Sequence, residues 1–252
     1  MVRFFVQRQD TPDSSAPPET TGGVIILNAE DSAHIRSLRM RPSEQFIVCD
    51  GNGSDYICRL AEKSSPQGAS AEIISMRPTS GEPAVACIVY IAFAKGDRLD
   101  YAVQKSVELG ARGIVLFRSE RCVTAPGDAG KKTARMQRIA LEAAKQCGRG
   151  YIPDVTAAHS FREAVENASG SGLPLFFYER EEELNLKNAL DSRASLSSVS
   201  IVTGPEGGFE ESEAELARSL GMLTVTLGPR VLRCETAPVA ALAAIMYHTG
   251  NM

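Results

Sequence analysis

Apolar residues change rhythm once along this chain. Over residues 24 to 76 they come in short runs, at 24–27, 46–49, 56–60 and 71–76. Each run has strand length, and Asp50-Gly51-Asn52-Gly53 between two of them is a turn, because Gly and Asn accept positive φ. Short strands with little helix predict a small β-barrel or sandwich. Arg77-Pro78-Thr79-Ser80-Gly81-Glu82-Pro83 has two prolines, a glycine and no apolar residue, and reads as a linker.

From residue 84 the rhythm becomes strand then helix. The runs at 85–93, 114–117 and 175–178 are continuously apolar, and those at 200–203 and 223–227 are apolar apart from Ser and Thr, as expected of strands covered on both faces of a parallel sheet. Between them, Leu99, Ala102, Val103, Ser106 and Val107 repeat at helical spacing, with Asp97 as the expected cap and Gly110 as the stop. Ser212 and Glu215 suggest a capping box for a helix that Gly221 ends. A last helix is expected over 236–248, capped by Thr236, with Pro238 in its first turn. It is apolar nearly all round, which predicts burial, including against a second subunit. The serine-rich stretch at 192–200 reads as a surface loop. Two domains follow, 1–77 and 84–252, the second α/β.

At 252 residues, with 43% hydrophobic and 23% charged positions, the chain can bury a core without staples. No apolar run reaches the roughly 18 residues of a membrane span. The N-terminus, through Arg8, is too short and too soon charged for a secretory signal, so a cytoplasmic protein is expected. The six cysteines form no Cys-x-x-Cys pair and His34, His159 and His248 lie far apart, so no metal site is expected.

The net charge is −4, yet the basic residues cluster. Between Arg118 and Arg149 there are eight basic residues against three acids. On a helix, Arg135, Arg138, Lys145 and Arg149 share a face opposite Met136, Ile139, Ala140, Ala143 and Cys147. A solvated surface helix would look the same, but one sign sustained over this length favours an RNA-phosphate face. A smaller patch, His34, Arg36, Arg39 and Arg41, lies in the N-terminal domain.

Gly204-Pro205-Glu206-Gly207-Gly208-Phe209 directly follows an apolar strand, where glycine lets backbone approach a ligand. It lacks the G-x-G-x-x-G dinucleotide spacing. The stretch at 127–133 fails as a P-loop, with Ala125 and Lys132 at two required positions. A second unusual segment, Leu227-Gly228-Pro229-Arg230-Val231-Leu232-Arg233-Cys234-Glu235-Thr236-Ala237, sets charges between apolar elements. It reads either as an ordinary strand-to-helix connection or as a site, and charges so placed favour a site.

These residues resemble a known family along nearly the whole chain. Arg3-Phe4-Phe5-Val6, His34 with Leu38-Arg39, Asp50-Gly51-Asn52-Gly53, and Lys105 with Glu108-Leu109-Gly110 are short matches. Ser119-Glu120-Arg121, Leu141-Glu142-Ala143-Ala144-Lys145-Gln146, the 204–209 loop and the 227–237 segment complete them, the last two being specific in order and separation. The family similar to this chain is that of the 16S rRNA (uracil-N3)-methyltransferases, within the SPOUT (α/β trefoil-knot) superfamily. Cys234, Ser37 and Val107 depart from its usual Thr, aliphatic residue and Thr.

The resemblance implies a PUA-like RNA-binding β-barrel and a knotted, parallel-sheet methyltransferase domain, forming a homodimer. It implies S-adenosyl-L-methionine as cofactor and 16S rRNA or the 30S subunit as partner, with no membrane. Cofactor contacts would fall on Phe177, Tyr178, Thr203, Gly204, Pro205, Glu206, Gly207, Gly208, Leu227, Gly228, Leu232, Arg233, Thr236 and Ala237. RNA contacts would fall on Arg3, His34, Arg36, Arg39, Lys95, Lys105, Arg121, Arg135, Arg138, Lys145 and Arg149. Arg233 or Arg230 would stabilise charge on the base, and Glu235 is a candidate general base, unless it orients an arginine or holds the knot together. A noncatalytic RNA-binding protein, or a knot methyltransferase acting on another RNA atom, remain the alternatives.

Overall fold

A computed structural model describes residues 1–6, 23–61, 68–123 and 129–252. Gln7 and Arg8, and the first residues of the glycine stretch at 127, lie outside them. The chain divides into two compact units, Met1–Glu82 with Ala144–Ile152, and Pro83–Ala143 with Pro153–Met252. The return of Ala144–Ile152 to the first unit has no counterpart in a division at the 77–83 linker.

The first unit is a five-stranded sheet that curls into a half-barrel, in the order β1-β3-β4-β5-β2. Its strands are β1 (Arg3–Phe5), β2 (Val24–Ile26), β3 (Gln45–Cys49), β4 (Ser54–Leu60) and β5 (Ser70–Pro78). β1 runs parallel to β3 and the other pairs are antiparallel. A register shift between Ile57 and Cys58 bends β4 against β5. Phe4, Ile25, Leu27, Phe46 and Val48 are buried in its core. The Asp50 carboxylate accepts from the N–H groups of Asn52 at 2.8 Å and Ser54 at 3.0 Å, and Gly51 and Gly53 take positive φ, which makes the β3–β4 turn. Helix α1 (Ala29–Ser37) was not legible as a helix: only Ser32, Ile35 and Asp31 turn inward, too few apolar positions to mark a period.

The second unit carries a six-stranded, all-parallel sheet in the order β11-β9-β10-β6-β7-β8. Its strands are β6 (Ala86–Ala92), β7 (Gly113–Phe117), β8 (Asp154–Ala157), β9 (Leu173–Phe177), β10 (Ser198–Thr203) and β11 (Leu223–Val225). The helices are α2 (Arg98–Glu108), α3 (Ala129–Cys147), α4 (Phe161–Ser169), α5 (Leu186–Asp191), α6 (Glu211–Ser219) and α7 (Thr236–His248). Tyr90, Phe117, Phe176, Val202 and Phe209 are buried among Ala164, Val165 and Ala214.

Several local expectations are corrected. The capping box of α6 is formed by Glu210 and Glu213, not Ser212 and Glu215; each carboxylate accepts the other residue's N–H. Position 235 is the cap of α7, and Thr236 is its first helical residue. Asp97 precedes α2 but its side chain makes no cap hydrogen bond. Helix α3 ends at Cys147, so Arg149 is not on its basic face.

Candidate functional site

A cavity of about 630 Å³ opens where β9, β10 and β11 end. Three loops wall it: 178–182 after β9, 203–208 after β10, and 226–237 between β11 and α7. Each loop is fixed by contacts the sequence builds locally.

The Thr224 hydroxyl donates to Glu181 Oε2 at 2.6 Å, while Glu181 Oε1 accepts from the N–H groups of Glu183 and Leu184. Burial would raise the Glu181 carboxyl, but these donors and Arg218 hold it below the usual carboxylate range. The Tyr178 hydroxyl donates to Glu211 at 2.7 Å; burial first and then this carboxylate push the phenol up. The 226–228 backbone bends where the Gly228 N–H donates to the Thr226 hydroxyl at 3.2 Å, and Gly228 sits at φ 109°.

The 204–208 loop has little free space. A Cβ on Gly204 would stand 3.0 Å from the buried ring of Phe209, which packs 4.3 Å from Phe176. Gly208 has φ 68°, and a Cβ there would run into the Glu179 carboxylate. Arg121 donates to Glu210 at 2.7 Å and to the Gly207 carbonyl at 3.1 Å, holding the loop from outside the cleft. On the other side, Glu206 Oε1 accepts from the Lys95 N–H at 3.0 Å and from Arg98 at 2.7 Å. Burial would raise Glu206; these donors keep it below the usual range. Glu235 Oε2 accepts from the Cys234 thiol at 3.2 Å and lies 3.9 Å from Arg98. Burial, with Glu235 beside it, pushes the Cys234 thiol up to about 12.

Of the residues singled out from sequence, Phe177, Tyr178, Thr203, Gly204, Pro205, Glu206, Gly207, Gly208, Leu227, Gly228, Arg230, Leu232, Arg233, Glu235 and Ala237 all line this cavity. Thr236 does not; as the first helical residue of α7 it is exposed outside the lining. Arg230 and Arg233 are exposed and have no ion-pair partner among the described residues. Sequence reasoning missed Arg98, Glu179, Glu181 and Glu182. Arg98 comes from the start of α2, far along the chain, and nothing in its neighbours signals a partner.

The expected RNA contacts separate into two groups. His34, Arg36 and Arg39 are exposed on and just after α1, and Arg138 is exposed on α3. Arg3 and Arg149 are both buried, and each is paired with a carboxylate. Arg3 makes two bonds to the fully buried Asp55, at 2.6 and 2.8 Å, and Arg149 bonds Glu82 at 2.7 Å. Burial would raise the Asp55 carboxyl, but Arg3 and Thr79 hold it below the usual range. Lys145 is half-buried 3.4 Å from Asp31, Lys105 is held by Glu108, and Arg135 by Asp100. Lys95 enters the site through its backbone. Among the described residues there is no helix long and apolar enough to cross a membrane and no cluster of three metal-ligating side chains.

A ligand cleft beyond the carboxyl ends of parallel strands, in a chain whose other unit is an N-terminal half-barrel, is that of an α/β ligand-binding domain. Residues 81–246 match the RNA methyltransferase domain family, and residues 27–74 match the RNA methyltransferase PUA domain family. A Bacillus subtilis protein named ribosomal RNA small subunit methyltransferase E is 33% identical over 256 residues, covering 99% of this chain and 97% of that protein. The chain belongs to the ribosomal RNA small subunit methyltransferase E family. The crystal structure of the Neisseria gonorrhoeae member bound to S-adenosyl methionine aligns with a TM-score of 0.83 and 33% identity, over 98% of this chain and 97% of that one. A putative methyltransferase of Legionella pneumophila in complex with the same cofactor aligns with a TM-score of 0.82 and 28% identity, again over 98% and 97%.

Proposed function

We propose that this chain transfers the methyl group of S-adenosyl-L-methionine to N3 of a uridine in 16S rRNA. The observation that carries the reading is the cleft itself, walled by both specific loops and bordered by two unpaired arginines. Its residues fit the cofactor. The volume lies within the roughly 300–1,000 Å³ of small-ligand sites. Val225, Leu227, Leu232 and Ala237 offer an apolar wall to a purine, glycine backbone lies open at 228, and Glu179 and Glu182 suit a cationic ligand.

Bound there, S-adenosylmethionine supplies an electrophilic methyl group on sulfonium sulfur. The protein must hold the base in line and manage the N3 proton, so positioning supplies much of the acceleration. Because N3 is blocked in a base pair, the uridine must be unpaired or flipped out. Arg233, or Arg230 beside it, faces the negative charge that develops on the uracil oxygens as the proton leaves. Glu235, already engaged with Arg98 and Cys234, acts by orienting Arg98 in this reading. His34, Arg36, Arg39 and Arg138 contact RNA phosphates. A trefoil knot closing the cofactor loops, pairing of two copies and a cytoplasmic setting belong to the same reading. The α7 surface carrying Ala244 and the exposed Tyr247 supports the pairing.

The test is incubation with methyl-labelled S-adenosylmethionine and small subunits from cells lacking the activity, followed by nucleoside identification. Label in 3-methyluridine is expected. Label in a ribose or another base would replace the target atom, and no label with no cofactor binding would leave a noncatalytic RNA-binding protein.

A further inference from the structure

Among the described residues, Arg98 is the one cation that pairs with carboxylates from two of the three cleft loops. It is the first residue of α2, after β6, and it belongs to none of those loops. Its guanidinium donates to Glu206 on the 203–208 loop at 2.7 Å and lies 3.9 Å from Glu235 at the end of the 226–237 loop. The Lys95 N–H, three residues earlier, donates to the same Glu206 oxygen at 3.0 Å. Glu206 is thus gripped by one short segment through a backbone and a side-chain donor. Without Arg98, two partly buried carboxylates would face one cavity and repel each other.

We propose that Arg98 is a positioning residue that latches two cofactor loops to a common frame, setting the cleft width before ligand arrives. The rigid fork of the guanidinium turns one nitrogen to Glu206 and another toward Glu235, whereas the ammonium of a lysine offers a single nitrogen at a single position. Part of the interaction is solvent-exposed, so its effect on either loop is moderate rather than decisive. The latch rests on the proposed cofactor site only for its consequence; the cross-link itself involves protein groups alone.

The experiment uses the full chain, wild type against Arg98→Gln, Arg98→Lys and Glu206→Gln. Hydrogen exchange without ligand is read first. Arg98→Gln is expected to speed exchange of amides in both the 204–208 and 228–237 segments by about tenfold, leaving β10 protected. Arg98→Lys should restore the first segment, through Glu206, and not the second. S-adenosylmethionine and S-adenosylhomocysteine should both bind Arg98→Gln about tenfold more weakly, by calorimetry. Adding Glu206→Gln to Arg98→Gln should cost little more than Arg98→Gln alone, because the two share one interaction. Protection of 228–237 retained in Arg98→Gln, or additivity of the two substitutions, overturns the latch. If exchange responds as expected but wild type binds neither ligand, the latch stands and the cofactor assignment falls.

Discussion

Replacing Arg3 by methionine keeps an unbranched chain in place but strips the charge partner from a fully buried carboxylate. Asp55 is 0% exposed and accepts two bonds from Arg3, at 2.6 and 2.8 Å. What remains is the Thr79 hydroxyl at 2.8 Å and the outward-lying Arg77 at 3.9 Å. Breaking one side of a buried pair costs about 3–5 kcal/mol, and the surviving donors place this case near about 3. The pH dependence carries a sharper signature. In the wild type, Asp55 is held below its unfolded value of about 3.9, so its stabilisation is complete above that pH and is lost as pH falls through the lowered value. In Arg3→Met, burial dominates and the carboxyl rises above about 3.9, so the variant loses stability as pH climbs through the raised value. The deficit is therefore largest near about pH 7 and shrinks toward about pH 3. Urea unfolding followed by far-ultraviolet circular dichroism measures it. A deficit under about 1 kcal/mol, or one independent of pH, refutes the reasoning. Lost RNA affinity at unchanged stability would return Arg3 to the RNA-binding surface.

Arg233→Ala should lower kcat by roughly 100- to 1,000-fold with the circular dichroism spectrum intact, and a near-normal rate would remove Arg233 from the chemistry. Gly204→Ala sets a Cβ 3.0 Å from a packed Phe209 ring and should cost about 1–3 kcal/mol of stability together with cofactor affinity, read by thermal shift with and without S-adenosylmethionine. Arg138→Gln should weaken binding to 16S rRNA and reduce the salt slope of log K by about one, as loss of one phosphate contact does. In thiol labelling near about pH 8, the exposed Cys147 should react first. Cys58 and Cys87, pushed to about 12 by burial, should stay unmodified until the chain unfolds.

The parallel sheet was legible because β6 and β9 are apolar on both faces, and β7 and β10 are interrupted only by Gly, Ser or Thr. The strand β8 escaped notice because Asp154-Val155-Thr156-Ala157 has one buried side chain and reads as an edge. Helices α4 and α5 are short and capped by Ser160 and Asn185, whose side chains accept from Glu163 and Asn188. Those caps are common polar residues that gain meaning only once the helix is known. The β1 strand pairs with β3, over forty residues away, and three residues cannot declare a partner at that distance. The Glu210 cap of α6 shows the same limit: Ser212 and Glu215 have the residue types, but the chain entered its helix two residues earlier.

Charge was the least legible quantity at the site. A count along the chain treats every arginine between 118 and 149 alike, whereas folding gives each a different environment. Arg149 is buried against Glu82, Arg135 meets Asp100, Arg121 supports a glycine loop, and Arg138 faces solvent. The partners come from residues 82, 100 and 210, all outside the window that defined the cluster. The glycine loop behaved differently, because glycine records a local requirement: φ 68° at Gly208 and the ring against Gly204 constrain those positions whatever surrounds them. Sequence therefore named backbone-determined residues that the fold gathers around one cavity, but could not give the surroundings of the cations, which depend on which acid the fold brings to each. By the same logic Arg98, invisible in sequence, is defined by two distant carboxylates, and the separate responses of their two loops are what its substitution has to show.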